Sequence, residues 1–293
     1  MAQPADDLMP HCTIAQALAA AKDLDRIDAQ LLLQHVLDVE HAFLLTHPEQ
    51  ILSEHQYLNF FSLVEQRMRG VPVAYLTGKR AFYDLTFKVS DAVLIPRPET
   101  ELLVDLALQR IPANTPTKIL DLGTGSGAIA ITIAKHRPHA QVTAVDVSRA
   151  AIAVSRDNAR NLQVKNLCFI TASWFDELLS DPFDLIVSNP PYVAEADPHL
   201  QRGDLRFEPQ LALSAGADGL TCIQHIIRAA PQHLVQDGWL LFEHGYDQAD
   251  ECRRLLRDAD FSNICSYPDL AGIMRVSGGQ ANAFHSDSHR MGT

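Results

Sequence analysis

Residues 118–135 read KILDLGTGSGAIAITIAK, and this stretch decides the fold. Its first part, residues 118–122, is a short apolar run typical of a buried strand. Residues 128–135 follow with the apolar pattern of a helix. A strand, a glycine-rich turn and a helix in this order form the arrangement that binds a nucleotide-like ligand at a helix N-terminus. The turn supplies five candidate cofactor-binding residues: Gly123, Thr124, Gly125, Ser126 and Gly127.

A second strand is predicted after this unit, and it ends in an acidic residue. Residues 141–145 read QVTAV, and Asp146 follows them. An acidic side chain about 20 residues after the glycines is placed to accept hydrogen bonds from ribose hydroxyls. The turn spacing is G-x-G-x-G, which differs from the G-x-G-x-x-G of dinucleotide-binding folds. Together these features predict a nucleotide-like ligand whose ribose hydroxyls meet Asp146.

A third apolar run, FDLIVS at residues 183–188, precedes Asn189-Pro190-Pro191-Tyr192. Two prolines end the strand and hold an extended turn at the carboxyl edge of the sheet. The Asn189 amide oxygen and a neighbouring backbone carbonyl form a pair of acceptors that suits a planar NH2 group, and the Tyr192 ring suits its face. Taken alone, the motif also fits a proline-rich turn after a core strand.

Further stretches carry a family likeness: AYLTG (74–78), FYDL (82–85), LIPRPETE (94–101), GDLRFEP (203–209) and EHGY (243–246). With the glycine turn and Asn-Pro-Pro-Tyr, they resemble the class I S-adenosylmethionine-dependent methyltransferases. The nearest resemblance is to the protein-(glutamine-N5) methyltransferases of peptide chain release factors, the PrmC/HemK family. The resemblance covers about residues 13–278.

The resemblance implies S-adenosylmethionine as cofactor, with its methionine part at the glycine turn and Trp174 against its adenine. Asp121 would either orient the turn or face the ammonium group of the cofactor. The substrate implied is the glutamine of the Gly-Gly-Gln motif in class 1 release factors, which act in translation termination.

The Asn-Pro-Pro-Tyr turn would then be the catalytic and substrate-binding element. Asn189 and the Pro190 carbonyl would accept the two amide hydrogens, and Tyr192 would stack on the amide. Pro191 completes the substrate turn, and Asn189 is also expected to contact the cofactor. The sulfonium methyl is already electrophilic, so neither a metal nor a dedicated base is expected.

Composition limits the kinds of binding partner and cellular location that the chain is expected to have. The chain of 293 residues has a formal net charge of −12 and no lysine or arginine cluster, which disfavours a nucleic-acid partner. Its five cysteines show no C-x-x-C spacing, and it lacks both an apolar run of membrane-spanning length and the order of residues typical of a signal peptide. These features predict a cytoplasmic enzyme without membrane association.

The expected fold class is α/β, a Rossmann-like class I methyltransferase sheet with a small N-terminal helical bundle joined by a β-hairpin. The bundle, with a capping box at Ser53 and Gln56, spans residues 1–70 and is expected to dock the substrate. The expected hairpin covers residues 71–93, the catalytic domain 94–279 and a disordered tail 280–293.

Two other functions stay open. An adenine-N6 methyltransferase of DNA or RNA could use the same Asn-Pro-Pro-Tyr turn, since the exocyclic amine of adenine is planar too. A cofactor-binding module without activity is the other alternative. Separately, Gly278-Gly279-Gln280 repeats the tripeptide of the substrate motif, which raises the hypothesis of self-methylation; a chance match in a terminal strand explains it as well.

Overall fold

The computed structural model describes residues 12–178 and 181–282. The chain forms two compact units, Met1–Gly78 and Lys79–Thr293. The first unit therefore extends beyond the predicted domain boundary at residue 70. The docking role assigned to it from sequence stays a prediction.

Within residues 12–78, five helices form the N-terminal unit: α1 (Ile14–Ala20), α2 (Arg26–Leu37), α3 (His41–Thr46), α4 (Glu54–Met68) and α5 (Val73–Thr77). The predicted capping box is present, because the Gln56 backbone N–H donates to Ser53 Oγ and the Ser53 N–H donates to Gln56 Oε1. Leu32 of α2 and Phe60 of α4 are fully buried in the core of this unit.

Not every apolar residue of α2 lies in the core of this unit. Ile27 and Leu31 are 65% and 43% exposed. The buried face of α2 is formed by Ala29, Leu32 and Leu33. At about 100° per residue, Ile27 and Leu31 lie on the opposite side of the helix from that face.

The segment 71–93, expected to be a hairpin, begins with a helix instead. Pro72 caps the start of α5, and Gly78 ends it in the left-handed conformation with φ +69°. A glycine at this position is the ordinary way to end a helix. The hairpin is shorter than expected, with strands β1 (Lys79–Phe82) and β2 (Leu85–Lys88), and it belongs to the second compact unit.

The second unit is built on a seven-stranded sheet: β3 (Lys118–Leu122), β4 (Gln141–Asp146), β5 (Leu167–Thr171), β6 (Phe183–Ser188), β7 (Leu234–Glu243), β8 (Phe261–Pro268) and β9 (Met274–Ala281). Their spatial order is β5-β4-β3-β6-β7-β9-β8. Strands β3 to β7 run parallel, and β9 pairs antiparallel with both β7 and β8. A mostly parallel sheet of this kind agrees with the expected Rossmann-like fold class.

Within residues 79–178 and 181–282, five α-helices connect the strands: α6 (Glu101–Arg110), α7 (Ala128–His136), α8 (Arg149–Asn161), α9 (Thr221–Ala229) and α10 (Ala249–Asp258). Two buried apolar clusters cover alternate residues of the strands; Ile119 of β3 belongs to one and Leu120 to the other. The chain leaves β3 towards β4 on one side and returns to β6 on the other. This reversal brings the carboxyl ends of β3, β4 and β6 together, where open α/β sheets bind ligands.

The C-terminal prediction was wrong in one respect. Strand β9 continues to Ala281, so Gln280 lies in the sheet and not in a tail. Gly278 pairs with Leu241 of β7 and Cys265 of β8. A Cβ at Gly278 would stand 2.3 Å from the Leu240 carbonyl oxygen, so the close approach of β7 requires glycine. The rest of the expected tail, residues 283–293, lies outside the described residues.

Candidate active site

A cavity of about 350 Å³ lies in the second unit, at the carboxyl ends of β3, β4 and β6. Most residues predicted to form the site line it: Gly123, Thr124, Gly125, Ser126, Asp146, Trp174, Asn189 and Pro191. Gly127, Pro190 and Tyr192 do not line it. The structure thus brings the glycine turn, the strand-terminal acid and the start of Asn-Pro-Pro-Tyr to one place.

The glycine turn is held open by its backbone conformation. Gly123 and Gly125 have φ values of +72° and +56°, which favour glycine. The Gly123 and Thr124 N–H groups both donate to the Val145 carbonyl of β4 at 2.9 Å. At Gly127, the N-cap of α7, a Cβ would lie 2.7 Å from Ile131 Cδ1. Gly127 therefore shapes the turn from behind, while Gly123 and Gly125 face the cavity.

Asp146 links β4 to the glycine turn. Its Oδ2 accepts from the Gly125 N–H at 2.9 Å and its Oδ1 from the Ser148 N–H at 2.8 Å. Burial raises the pKa of this carboxyl above its ordinary value, and the two backbone donors oppose that rise. Because each carboxylate oxygen can accept more than one hydrogen bond, Asp146 retains acceptor capacity for a hydroxyl-bearing ligand in the cavity.

Trp174 forms an aromatic wall of the cavity. Its φ is +49°, a conformation that bulky side chains rarely adopt and that surrounding structure must stabilise. A Cβ at Gly123 would come within 3.9 Å of its ring, so the indole lies against the glycine turn. A flat aromatic surface here can pack on a planar heterocycle.

Asp121, the last residue but one of β3, is fully buried and does not line the cavity. The nearby Thr124 hydroxyl and Ala130 N–H oppose the effect of burial on its pKa but do not outweigh it. Burial raises the pKa of Asp121 to about 7. The two roles considered for it, orienting the turn or facing an ammonium group, both stay predictions.

Asn189 is half-buried, and a hydrogen bond to Thr100, at the start of α6, holds its side chain in place. Its Nδ2 donates to Thr100 Oγ1 at 3.0 Å. Thr100 in turn donates to Glu243 Oε2 at 2.7 Å, and the Tyr192 hydroxyl donates to Glu243 Oε1 at 3.0 Å. Glu243 ends β7 and is 1% exposed, and burial raises the pKa of its carboxyl. A buried carboxylate thus ties together two side chains of the Asn-Pro-Pro-Tyr turn.

The backbone of that turn is also held. Gln248 Nε2 donates to the Tyr192 carbonyl at 3.0 Å, while Gln248 Oε1 accepts from the Gly245 N–H at 2.8 Å. A Cβ at Gly219 would lie 2.3 Å from the same Tyr192 oxygen. These contacts leave the turn little freedom to move.

Known proteins match both parts of the chain. The Methyltransferase small domain family matches residues 100–203, and the PrmC N-terminal domain family matches residues 13–78. The release factor glutamine methyltransferase of Xylella fastidiosa (strain Temecula1) is 47% identical over 92% of this chain and 98% of its own length. The protein of the same name from Vibrio cholerae is 46% identical, over 92% and 96% respectively. This chain belongs to the release factor glutamine methyltransferase family.

Among solved structures, the 16S rRNA N2 G1207 methyltransferase of T. thermophilus in complex with AdoMet and guanosine is similar in fold. Its TM-score is 0.53 at 18% identity, over 70% of this chain and 50% of that one. This likeness concerns the fold alone. Together with the seven-stranded sheet, it confirms the Rossmann-like methyltransferase fold predicted for this member of the release factor glutamine methyltransferase family.

Sequence reasoning gave no role to Thr100, Glu243 or Gln248, although Thr100 and Glu243 stand within the stretches that carry the family likeness. A usable signal was present for Glu243. It ends a buried strand, as Asp146 does, and a carboxylate at the carboxyl edge of an α/β sheet faces the ligand side. Thr100 has no comparable local signal.

The charges around the cavity are few. Of the lining side chains, Arg97 and Asp146 are charged, and Arg97 forms an ion pair with the buried carboxylate of Glu208.

Within residues 12–178 and 181–282, no group of three or more His, Cys, Asp or Glu side chains is placed to hold a metal ion. No helix in the same part of the chain has the length and apolar character needed to cross a membrane.

Proposed function

We propose that this chain transfers a methyl group from S-adenosylmethionine to the side-chain amide nitrogen of the glutamine in the Gly-Gly-Gln motif of peptide chain release factors. The observation that carries the proposal is the orientation of Asn189 in a member of this family. Its amide nitrogen is bound to Thr100, which leaves Oδ1 as the acceptor for a ligand in the cavity. A primary amide presents the matching N–H donors.

The residues present fit the proposed cofactor. The open glycine turn, with Gly125 unobstructed and Ser126 also lining the cavity, suits the polar methionine part. Asp146 would hold the ribose hydroxyls, and Trp174 would pack on the adenine. When bound, S-adenosylmethionine supplies a sulfonium methyl that is already strongly electrophilic.

The task of the protein is then to aim a weak nucleophile. The nitrogen of an amide is unreactive because its lone pair is delocalised into the carbonyl group. Asn189 Oδ1 and the Pro190 carbonyl would accept the two N–H hydrogens and fix the plane of the amide. Positioning of this kind contributes several kcal/mol to lowering a barrier. The Pro190 contact and stacking by Tyr192 stay predictions, since neither residue lines the cavity.

Class 1 release factors are the proposed protein partners. A net charge of −12 favours encounter with a basic protein surface, because opposite fields attract. The same charge, with the one lining arginine already paired, argues against the adenine-N6 alternative, in which cations must hold a flipped-out nucleotide. A cytoplasmic location accords with this partner and stays a prediction.

The test is mass spectrometry of a purified class 1 release factor after incubation with the enzyme and methyl-labelled S-adenosylmethionine. We expect one labelled methyl group on the glutamine of the Gly-Gly-Gln motif and none on a variant in which that glutamine is asparagine. Adenine-containing oligonucleotides form a parallel arm. An unlabelled release factor beside a labelled oligonucleotide would overturn the proposal in favour of the alternative.

A further inference from the structure

Glu243 is a carboxylate that the proposed reaction does not use directly, yet it is buried beside the cavity. It is 1% exposed, and its two oxygens accept hydrogen bonds from the Thr100 and Tyr192 hydroxyls. Removing a carboxylate from water is costly, and an apolar residue of similar size would avoid that cost. A carboxylate at this position is therefore expected to have a role that an apolar residue could not fill.

That role follows from the direction of the hydrogen bonds that join Glu243, Thr100 and Asn189. Burial disfavours the ionised form of Glu243, whereas the two hydroxyl donors and the charge of Arg275 favour it. In the ionised form the carboxylate only accepts, so the Thr100 hydroxyl must spend its single hydrogen on Glu243. Thr100 Oγ1 can then only accept from the remaining neighbour, Asn189. Asn189 must consequently turn its NH2 group to Thr100 and its oxygen to the cavity. With Glu243 ionised, the orientation follows from the chemistry of the three groups and is independent of which atom is assigned as N or O in the amide.

We propose that Glu243 is a positioning residue that, through Thr100, sets which end of the Asn189 carboxamide faces the substrate. The inference rests on the proposed function, in which Asn189 accepts an N–H of the substrate amide. With the carboxamide reversed, its NH2 group would oppose the NH2 group of the substrate, and both would be donors. The specificity of the site for a primary amide would thus depend on a carboxylate that does not touch the substrate.

Glu243→Gln tests this with little change in shape. The glutamine NH2 group can donate to Thr100, which frees the Thr100 hydroxyl to donate to Asn189 Oδ1. The Asn189 carboxamide can then reverse. We expect kcat for methylation of a release factor to fall by roughly 100-fold, as for other small misplacements of a reacting group. The dissociation constant of S-adenosylmethionine and the melting temperature should stay near the wild-type values.

Glu243 also contacts Tyr192, so the route of its effect needs a separate test. In a Thr100→Val background the route through Asn189 is already broken, and Glu243→Gln should have little further effect on kcat. Thr100→Ser keeps the hydroxyl and should retain most of the wild-type kcat. In a Tyr192→Phe background, Glu243→Gln should still reduce kcat. The opposite pattern, an effect that vanishes only in Tyr192→Phe, would overturn the route through Thr100.

A second measurement needs no substrate. Side-chain amide signals of 15N-labelled enzyme report how fast the Asn189 Nδ2 hydrogens exchange with water, with assignment by Asn189→Asp. We expect slow exchange in the wild type, where Thr100 accepts from this group, and fast exchange in Glu243→Gln. Glu208→Gln is a matched control: Glu208 is a buried carboxylate that accepts from Arg97 and the Ile95 N–H and has no bond to Asn189. It should leave the Asn189 signals unchanged.

The two measurements separate the two proposals. Absence of release factor methylation by the wild type, with Asn189 exchange still controlled by Glu243, would overturn the proposed function and leave the positioning role intact. Methylation by the wild type with equal kcat and equal Asn189 exchange in Glu243→Gln would overturn the positioning role alone.

Discussion

Asn189 is the single residue on which the proposed chemistry depends most. It lines the cavity and is bound to Thr100 through its nitrogen, so its oxygen is the group a ligand amide would meet. Asn189→Ala removes this acceptor, and we expect kcat to fall by about 100-fold or more. Cofactor affinity, measured by calorimetry, should change little. A folded variant with wild-type turnover would show that another group aims the amide.

Asp121 gives a pH-dependent expectation for stability. Burial raises its pKa to about 7, whereas 3.8 is its ordinary value. The folded state therefore binds the proton of the Asp121 carboxyl group more tightly than the unfolded state does. Stability from this group is fully present below the ordinary pKa and is lost as the pH rises towards 7, by roughly 1.4 kcal/mol per pH unit.

Asp121→Asn should remove that loss without changing the size of the side chain. We expect the free energy of unfolding of the variant, minus that of the wild type, to increase between about pH 5 and about pH 7 and then to level off. Urea unfolding of the cofactor-free enzyme at several pH values measures this difference, in which the titration of other groups cancels. A flat difference would mean that the Asp121 carboxyl titrates at its ordinary pKa.

The residues of the site differ in how far sequence could predict them. The glycine turn and Asp146 follow strands with clear patterns, so their meeting at one sheet edge could be inferred. Thr100 is hydrogen-bonded to Asn189, which lies 89 residues further along the chain, and to Glu243, which lies 143 residues further along. Hydrogen bonds over such separations leave no short-range pattern, and only the folded structure shows them.

At the scale of elements, the pattern of apolar residues predicted the strands that enter the site. It failed where tertiary contacts determine whether a segment is helical or where a strand ends. The α5 segment has too few residues for a helical period to stand out, and β9 continues through two glycines that usually weaken a strand. Those glycines are retained because β7 and β8 approach closely on both sides. Packing, rather than intrinsic strand preference, sets the end of β9.

Gly278 provides the test of this explanation. In Gly278→Ala, the new Cβ would meet the Leu240 carbonyl oxygen, which the sheet prevents from moving. We expect a loss of about 3 kcal/mol in the free energy of unfolding. Gly272→Ala is the matched control, because Gly272 has φ +81° but no neighbour within 4 Å; its cost should be about 1 kcal/mol. Equal losses would contradict the packing explanation.

Truncations extend the same test to the whole of β9. A chain ending at Gly278 loses the last residues of the strand, including Ala281, which is buried. It should melt at a clearly lower temperature than a chain ending at Asn282, which keeps β9 complete. If both melt together, the strand beyond Gly278 contributes nothing to stability.

At the scale of the whole molecule, the two compact units differ in what they contribute to the site. The cavity and every side chain assigned to cofactor and substrate amide lie in the second compact unit, Lys79–Thr293. The first unit has its own apolar core and contributes none of them. A large protein substrate needs contacts beyond its reactive side chain, and a separate helical unit can supply them.

Deletion of residues 1–78 should therefore separate docking from chemistry. We expect kcat/KM for an intact release factor to fall by roughly 100-fold, because a second attachment point would be lost. Affinity for S-adenosylmethionine, and methylation of a short Gly-Gly-Gln peptide that has no contacts to lose, should stay close to those of the full chain. Equal loss for intact protein, peptide and cofactor would mean that the helical unit stabilises the second unit instead of docking the substrate.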